Sequence, residues 1–319
     1  MSRKSPVIID LKFDPTTVAA ALAPAFGDRE KINLADPVNR ERDLSGIDYA
    51  VVWKPDADLF ARAPDLKVVF SGGAGVDSIL SLPSLPSIPV VRFVDHSLTT
   101  RMSEWVVLQC LAHLRQTEAY RRQQDARIWR ELPQPEARDV TVGIMGLGVL
   151  GQDSARKLKM IGFDVIGWSR TKKAIDGVET FGAAELKAFL TRTDILVGLL
   201  PLTSETTGIF NAELFGGLRR GGALGNPVFI NAGRGKSQVE ADLIAALQTG
   251  ILGGASLDVF ETEPLSADSP LWTLGNVILT PHAAAASDER ALFRHVEAQV
   301  ARLEAGEPLQ HVVDRGVGY

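Results

Sequence analysis

The chain has 319 residues, which at about 150 residues per domain predicts roughly two domains. Its 45% hydrophobic and 23% charged residues are typical of a folded globular protein and exclude a disordered one. The formal net charge of -5 gives no basic excess, so the composition predicts no nucleic-acid partner and no binding to anionic membranes.

The distribution of cysteine and of apolar residues indicates a reducing, cytoplasmic setting. A single cysteine, Cys110, excludes an intrachain disulfide and a cysteine-rich metal site. The first apolar run, Val7 to Ile9, is broken by Asp10 and is too short for a signal peptide. Nowhere do about 18 consecutive apolar residues occur, so no membrane span is expected.

Short apolar runs alternate with segments of helical period along the chain. Strands that are apolar on both faces and separated by helices form parallel sheets, so the predicted fold class is α/β. The predicted strands are Val7–Ile9, Tyr49–Trp53, Val68–Phe70, Val140–Met145, Val165–Ile166, Ile195–Val197, Val228–Ile230, Ala255–Leu257 and Val277–Leu279.

Two helices are predicted at places where the chain would pass between domains. One is a long helix over residues 99–122, with Thr99 or Thr100 as its N-terminal cap. The other begins at Ser287 to Glu289, places apolar residues on one face and ends at Gly306.

A glycine-rich turn follows the strand Val140–Met145. Gly146, Gly148 and Gly151 form the pattern GxGxxG between that strand and a helix ended by Gly162. In dinucleotide-binding folds the three glycines serve a tight turn, close approach of the pyrophosphate and helix packing, respectively. Glycines also mark ordinary turns, but the flanking strand and helix favour a nucleotide site here.

The end of the next strand indicates which dinucleotide binds. NAD-binding units place an Asp or Glu there for the ribose hydroxyls, whereas this chain has Ser169 after Trp168, and Asp164 lies at the strand's beginning. Arg170 offers a planar guanidinium for a 2'-phosphate, and Ser169, Thr171 and either Lys172 or Lys173 are further donors. A solvated basic turn is the ordinary alternative, but the position favours NADP(H).

Reactive side chains follow three later strands, at the edge where open parallel sheets bind ligands. Arg234 follows Val228–Ile230, Asp258 and Glu263 follow Ala255–Leu257, and His282 follows Val277–Leu279. Singly, such an arginine or glutamate is more often a surface residue, but together they indicate chemistry. None of the five histidines has metal-ligand spacing, so no metal site is predicted.

The sequence closely resembles the D-2-hydroxyacid dehydrogenase family, and most of all its NADPH-dependent glyoxylate/hydroxypyruvate reductase A branch. The resemblance covers nearly the whole chain. It is carried by Gly146–Gly151, Gly167–Arg170, Asn231–Gly235, Leu257–Phe260, Glu263–Leu265, Ser269–Trp272, Thr280–His282 and Val51–Asp56.

This resemblance implies a specific domain organisation. Two doubly wound parallel-sheet domains are expected, with a Rossmann cofactor domain inserted into a flavodoxin-like substrate domain. Residues 1–101 and 286–319 would form the substrate domain and residues 102–285 the NADP-binding domain. A homodimer built through the cofactor domain is also implied.

The resemblance further implies that the chain reduces small 2-oxo acids, such as glyoxylate and hydroxypyruvate, to 2-hydroxy acids. Arg234 would hold the substrate carboxylate and polarise the oxo oxygen. His282 would donate a proton to that oxygen as general acid. Glu263 would favour the cationic imidazole, and Asp258 would contact the nicotinamide end of the cofactor.

Other contacts complete the predicted sites. In the first domain the backbone of Gly73, Ala74 and Gly75 is expected to bind a carboxylate. Trp53 either lines the substrate pocket or is a core aromatic, and both interpretations stay open. Further cofactor contacts are predicted at Val149, Leu150, Trp168, Leu200, Pro201, Ala232 and Gly233.

Two alternatives remain at this stage. One is a related D-hydroxyacid dehydrogenase, such as a phosphoglycerate dehydrogenase, against which the missing acid at Ser169 argues. The other is a non-catalytic, dinucleotide-sensing interaction protein on the same fold. Retention of Arg234, Glu263 and His282 together favours the enzyme.

Overall fold

A computed structural model describes residues 4–316 and residue 318. The chain forms two compact units. The first unit comprises the chain up to Leu98 together with the chain from Ser287 onward, and the second unit runs from Thr99 to Ala286. The predicted boundaries after residues 101 and 285 fall close to these divisions, and the assignment of substrate and cofactor to the two units stays a prediction.

The first unit is built on a parallel sheet of the strands β1 (Val7–Leu11), β2 (Lys31–Asn33), β3 (Tyr49–Trp53), β4 (Val68–Ser71) and β5 (Val90–Val91). Their order is β2-β1-β3-β4-β5, which is the flavodoxin-like order. Its first three helices are α1 (Pro15–Leu22), α2 (Leu59–Arg62) and α3 (Asp77–Leu80), with a short 3-10 turn at Pro37–Asn39.

Both faces of this sheet are covered by apolar side chains. Val7 and Ile9 of β1 pack in one buried cluster with Leu292 and Val296 of the C-terminal helix. Ile8 faces the opposite way and packs in a second cluster. The two-sided burial explains why the strands of this unit are continuous apolar runs.

The boundary between the units falls within helix α4 (His96–Leu114), and the predicted single helix over residues 99–122 is wrong. The helix begins earlier because the Asp95 carboxylate accepts a hydrogen bond of 3.0 Å from the Leu98 amide, so neither Thr99 nor Thr100 is its cap. Gln116 adopts a left-handed backbone, with φ of 54°, and separates α4 from α5 (Thr117–Asp125).

The second unit is also built on a parallel sheet. Its strands are β6 (Thr141–Met145), β7 (Asp164–Trp168), β8 (Glu179–Phe181), β9 (Ile195–Gly198), β10 (Val228–Asn231), β11 (Gly254–Leu257) and β12 (Val277–Leu279). The order is β12-β11-β10-β9-β6-β7-β8. The chain direction across the sheet reverses between β6 and β9, the switch point at which Rossmann folds bind dinucleotides.

Helices cover both faces of this second sheet. They are α4, α6 (Val149–Ile161), α7 (Leu186–Leu190), α8 (Ala212–Gly216) and α9 (Glu240–Gln248), with 3-10 turns at Ala137–Asp139, Ala183–Glu185, Gly235–Ser237 and Pro270–Thr273. Leu196 and Phe229 pack on one side, and Val197 and Ile230 pack on the other. The predicted α/β class with two doubly wound parallel sheets is confirmed.

The last helix, α10 (Glu289–Glu304), returns to the first unit and matches its prediction. The Asp288 carboxylate accepts from the amides of Arg290 and Ala291 at its start. Gly306, with φ of 74°, ends it. Across residues 4–316 and 318, no helix combines the length and the apolar character that a membrane crossing requires.

Candidate active site

The glycine turn after β6 has the local geometry that the sequence predicts. Gly146 has φ of 110°, and a Cβ on it would lie 2.5 Å from the Leu199 carbonyl oxygen. A Cβ on Gly151 would lie 2.0 Å from the Gly146 carbonyl oxygen. Any larger residue at either position would collide with backbone, so both glycines are required by the fold.

Gly148 has a different role from its two neighbours. A Cβ placed on it would meet nothing within 4 Å, so the chain itself does not require glycine there. Gly148 caps helix α6 without a side-chain hydrogen bond, which leaves the amides at the helix start, including Val149 and Leu150, directed outward. These features fit the close approach of a pyrophosphate to the helix N-terminus.

The segment after β7 places basic side chains beside this turn. Lys173 Nζ donates 3.0 Å to the carbonyl of Leu147 within the glycine turn. Arg170 Nη1 lies 3.0 Å from Glu205 Oε2, and both side chains are largely exposed. Lys172 Nζ lies 3.1 Å from Glu185 Oε1. Each cation is thus held near the end of β7 by a neighbouring acceptor.

Ser169 and Asp164 complete the description of β7. Ser169 is buried, and its hydroxyl donates 2.8 Å to the Thr171 carbonyl, which fixes the turn. Asp164 lies at the first residue of β7, where its carboxylate accepts from the Thr141 hydroxyl. No strand-end carboxylate therefore stands at position 169, where an NAD-binding unit would have one.

Arg234 lies in the loop that follows β10, and the side chain of Asn231 shapes that loop. Asn231 Nδ2 donates 3.2 Å to the Arg234 carbonyl, and Asn231 Oδ1 accepts 3.0 Å from the Gly233 amide. The half-buried Arg234 side chain donates through Nη1 to the Gly233 carbonyl at 2.8 Å. A Cβ on Gly235 would lie 1.9 Å from the Phe260 carbonyl oxygen, so at this position the backbone of the loop touches the backbone of the loop after β11.

Asp258 is buried at the end of β11 and binds the segment that follows β12. Its carboxylate accepts 2.6 Å from the Thr280 hydroxyl, 2.8 Å from the Ala283 amide and 3.0 Å from the Ala284 amide. Its backbone carbonyl accepts 2.8 Å from the His282 amide. These bonds hold the His282 segment in place, a function that the sequence did not indicate.

His282 and Glu263 form a direct pair. His282 Nδ1 lies 2.9 Å from Glu263 Oε2 and 3.0 Å from Oε1. Because an ionised carboxylate only accepts hydrogen bonds, Nδ1 carries a proton and Nε2 is the nitrogen that exchanges one. The His282 backbone is left-handed, with φ of 54°, which is uncommon outside glycine and is held here by the contacts of Asp258.

The predicted substrate residues of the first unit also lie together. Trp53 is the last residue of β3, and a Cβ on Gly73 would lie 2.5 Å from its ring. The Ser71 hydroxyl lies 3.0 Å from the Gly73 carbonyl oxygen and 2.9 Å from that of Gly75, which shapes the loop containing Ala74. Trp53 is partly exposed and packs beside Phe13 at the edge of the core cluster.

The remaining predicted cofactor residues lie near the ends of β7, β9 and β10. Trp168, Leu200 and Ala232 are buried. The indole nitrogen of Trp168 has no hydrogen-bond partner within the described part of the chain. Pro201 accepts 2.6 Å from the Thr206 hydroxyl through its carbonyl, and Gly233 lies in the Arg234 loop.

Sequence reasoning missed several residues that position this site. Glu205 pairs with Arg170, Thr280 binds Asp258, and Gln238 binds Asn231. Of these, Thr280 carried a signal, because it directly follows a predicted strand. Glu205 and Gln238 carried none.

Together, the switch-point glycine turn and the strand-end Arg, Glu and His define a dinucleotide-dependent dehydrogenase of the doubly wound α/β class. Residues 107–284 match the family described as D-isomer specific 2-hydroxyacid dehydrogenase, NAD binding domain. The chain belongs to the D-2-hydroxyacid dehydrogenase family.

Solved structures of this family are similar over the whole chain. One is the NADPH-dependent glyoxylate/hydroxypyruvate reductase of Sinorhizobium meliloti in complex with NADP and sulfate, at 68% identity and a TM-score of 0.97, covering 99% of this chain and 100% of that one. A protein described as a "probable 2-hydroxyacid dehydrogenase" from Rhizobium etli, in complex with NADP, HEPES and L(+)-tartaric acid, has 66% identity and a TM-score of 0.94, with coverage of 99% and 100%.

A more distant relative has the same fold. It is the D-isomer specific 2-hydroxyacid dehydrogenase of Xanthobacter autotrophicus in complex with NADPH and MES. It has 39% identity and a TM-score of 0.91, and the match covers 99% of each chain.

Proposed function

We propose that this protein is an NADPH-dependent reductase that converts small 2-oxo acids, such as glyoxylate and hydroxypyruvate, into 2-hydroxy acids. The observation that carries the proposal is the His282–Glu263 pair, with 2.9 Å between Nδ1 and Oε2. The pair follows β11 and β12, the two strands next in order to β10, which precedes Arg234 in the Rossmann sheet. The similarity to the Sinorhizobium meliloti glyoxylate/hydroxypyruvate reductase supports it.

The second unit would hold NADP(H). The turn of Gly146, Gly148 and Gly151, with the amides of Val149 and Leu150, would bind the pyrophosphate. The 2'-phosphate would be bound by Ser169, Arg170, Thr171 and Lys172, and further contacts would come from Trp168, Leu200, Pro201, Ala232, Gly233 and Asp258. When bound, the reduced nicotinamide supplies the hydride.

The chain's own residues bind the substrate and move the proton. Arg234 would bind the carboxylate of the 2-oxo acid with its guanidinium and polarise the oxo group. His282 would transfer the proton on Nε2 to the oxo oxygen, while Nδ1 stays hydrogen-bonded to Glu263. The oxo carbon gains a hydride, its oxygen gains a proton, and His282 regains a proton from solvent.

The first unit, which the sequence assigns to residues 1–101 and 286–319, is proposed to bind the substrate. The backbone of Gly73, Ala74 and Gly75 would provide amides for the carboxylate. Trp53, whose ring packs on Gly73, would limit the size of the substrate.

A homodimer in the cytoplasm is proposed as the working form. The second unit exposes Ile128 and the whole side chain of Trp129, at relative accessibilities of 51% and 103%. Large apolar side chains exposed side by side support a protein interface at this unit. The molecular mass in solution, by light scattering, tests the dimer.

The reaction is tested by following NADPH oxidation with glyoxylate, hydroxypyruvate, pyruvate and bulkier 2-oxo acids, and by repeating each assay with NADH. We expect turnover of the small acids and a preference for NADPH. Absence of turnover with every 2-oxo acid would instead favour a dinucleotide-sensing protein on this fold.

A further inference from the structure

Gln238 is a buried residue of the second unit that the proposed mechanism does not use. It follows the 3-10 turn Gly235–Ser237 and is 1% exposed. Its Oε1 accepts 2.9 Å from Asn231 Nδ2, and its Nε2 donates 3.3 Å to the carbonyl of Val259. The side chain therefore bridges the loop after β10 and the loop after β11.

The neighbours of this amide fix its orientation. Asn231 presents an N–H donor and Val259 presents a carbonyl acceptor. If the Gln238 amide were rotated by 180°, its NH2 group would face the Asn231 NH2 group and its oxygen would face the Val259 carbonyl, so neither hydrogen bond could form. Asn231 is fully buried, so without the bridge its Nδ2 would keep only the Arg234 carbonyl as an acceptor.

The two ends of the bridge lead to the two halves of the candidate active site. Asn231 also donates 3.2 Å to the Arg234 carbonyl, so the bridge reaches the arginine loop. Val259 directly follows Asp258, whose carboxylate and carbonyl hold the His282 segment through Ala283, Ala284 and the His282 amide.

Two other kinds of contact join these segments. The Asp258 amide donates 2.9 Å to the Asn231 carbonyl, and near the surface the Glu240 amide donates 2.7 Å to the Glu261 carboxylate. The Gln238 bridge adds a buried side-chain contact between them.

At Gly235 and Phe260 the two backbones meet without a side chain between them. The backbone of the Gln238 segment is anchored separately, because the Phe210 amide donates 2.9 Å to Ser237 and the Val239 amide donates 2.9 Å to Phe210. A change of the Gln238 side chain thus breaks the bridge and leaves this anchor in place.

We infer that Gln238 is a positioning residue that fixes the Arg234 loop relative to the loop that holds His282. The inference rests on the proposed function, in which Arg234 binds the carboxylate and His282 protonates the neighbouring oxo oxygen of one substrate. Reaction rate depends steeply on that spacing, since a misplacement of about 1 Å can cost about a hundredfold.

The test replaces Gln238 with methionine, which has a similar length and neither hydrogen-bonding group. For Gln238→Met we expect kcat/KM for glyoxylate to fall about tenfold or more, because both hydrogen bonds of the bridge are lost and the spacing on which the rate depends is no longer fixed. The kinetic isotope effect with deuterated NADPH should rise, because hydride transfer becomes more rate-limiting.

A matched control separates positioning from a general loss of stability. Gln299 is equally buried, at 2% exposed, and its Oε1 accepts from the Gln310 amide in the first unit. Gln299→Met should lower the thermal midpoint and leave kcat/KM unchanged. If folded Gln238→Met keeps kcat/KM within about twofold of wild type, or if Gln299→Met loses as much, the inference is overturned.

Two further measurements cover the other outcomes. Should Gln238→Met fail to fold, Gln238→Glu keeps the acceptor for Asn231 and loses the donor to Val259, and the same loss of kcat/KM is expected. Amide hydrogen exchange of residues 231–235 and 258–263 reports the bridge without turnover, and it should quicken about tenfold in the variant. Absence of turnover in the wild-type protein would refute the proposed function. Unchanged amide hydrogen exchange in the Gln238 variant would instead refute the role of the bridge in holding the two loops.

Discussion

His282 Nδ1 and Glu263 Oε2 are 2.9 Å apart, although 19 residues separate them in sequence. The loop after β11 supplies the carboxylate, and the segment after β12 supplies the imidazole. The pair fixes the proton on Nδ1 and leaves Nε2 to exchange with a substrate.

Replacement of His282 should remove the proton donor without removing the cofactor site. For His282→Ala we expect kcat to fall by about 10² to 10⁴, the usual contribution of general acid catalysis. The dissociation constant of NADPH, measured by fluorescence titration, should hardly change, because the glycine turn and the β7 segment are untouched. Wild-type rates in this variant would refute His282 as the acid.

Replacement of Glu263 should have a related but smaller effect. Glu263→Gln keeps an oxygen that can accept from Nδ1 and removes the negative charge beside the imidazole. We expect kcat/KM for glyoxylate to fall roughly tenfold to a hundredfold in steady-state assays, as for loss of one charge-assisted hydrogen bond. A variant as active as wild type would show that the carboxylate has no part in the reaction.

Replacement of Arg234 should lower the activity even when the new residue is lysine. A guanidinium can bind a carboxylate with two parallel hydrogen bonds, whereas an ammonium acts as a point charge. For Arg234→Lys we expect kcat/KM for glyoxylate to fall roughly tenfold to a hundredfold while the KM for NADPH is kept. Lys236→Arg, at the exposed neighbouring position, is the control and should behave as wild type.

Arg170 should determine the choice between NADPH and NADH. We expect Arg170→Ala to weaken NADPH binding roughly tenfold to a hundredfold and to change NADH binding little, since only NADPH carries the 2'-phosphate. Glu205→Gln removes the carboxylate that lies 3.0 Å from Arg170 Nη1, and it should strengthen NADPH binding modestly. Equal losses for both cofactors in Arg170→Ala would refute the assignment.

The stability of the second unit should depend on His113 at mildly acidic pH. His113 Nε2 lies 2.9 Å from the Ser256 hydroxyl, and desolvation lowers the pKa of His113 to about 4 from its ordinary value of 6.5. The folded protein therefore binds fewer protons than the unfolded chain between these values. The stability that neutral His113 contributes is fully present above pH 6.5. As the pH falls toward 4, the free energy of unfolding should decrease by up to about 3 kcal/mol.

Urea unfolding at several pH values measures this dependence. His113→Gln should remove most of the slope between pH 6.5 and 4. A smaller slope should remain, because burial also lowers the pKa of His295. An unchanged slope in His113→Gln would show that His113 is not the group that titrates.

The sequence predicted the central strands and the strand-end side chains but missed three strands. The missed strands, β2, β5 and β8, are all at sheet edges, where one side has no neighbouring strand. β2 contains only one buried residue, Ile32, and β5 is two residues long. β2 and β8 contain polar residues and β5 is very short, so none of them forms an apolar run of the kind that indicated the edge strand β12.

The glycine turn and the order Arg234, Glu263, His282 could be predicted because each depends on a local pattern after a strand. Contacts between loops could not, because they depend on how neighbouring strands align. Asp258 shows the limit, since its carboxylate binds the amides of Ala283 and Ala284 instead of simply facing outward from the strand end. The helix start at His96 was missed because Asp95 is a better cap than either threonine.

In the second unit, the residue proposed to select the cofactor lies several strands away from the residues proposed to bind and protonate the substrate. Strands β9 and β6 lie between β10, which precedes Arg234, and β7, which precedes Arg170. At about 4.8 Å per strand these ends are about 14 Å apart, a distance at which substitutions act additively. A Ser169→Asp variant is therefore expected to accept the unphosphorylated coenzyme, while hydride and proton transfer to the substrate are unchanged.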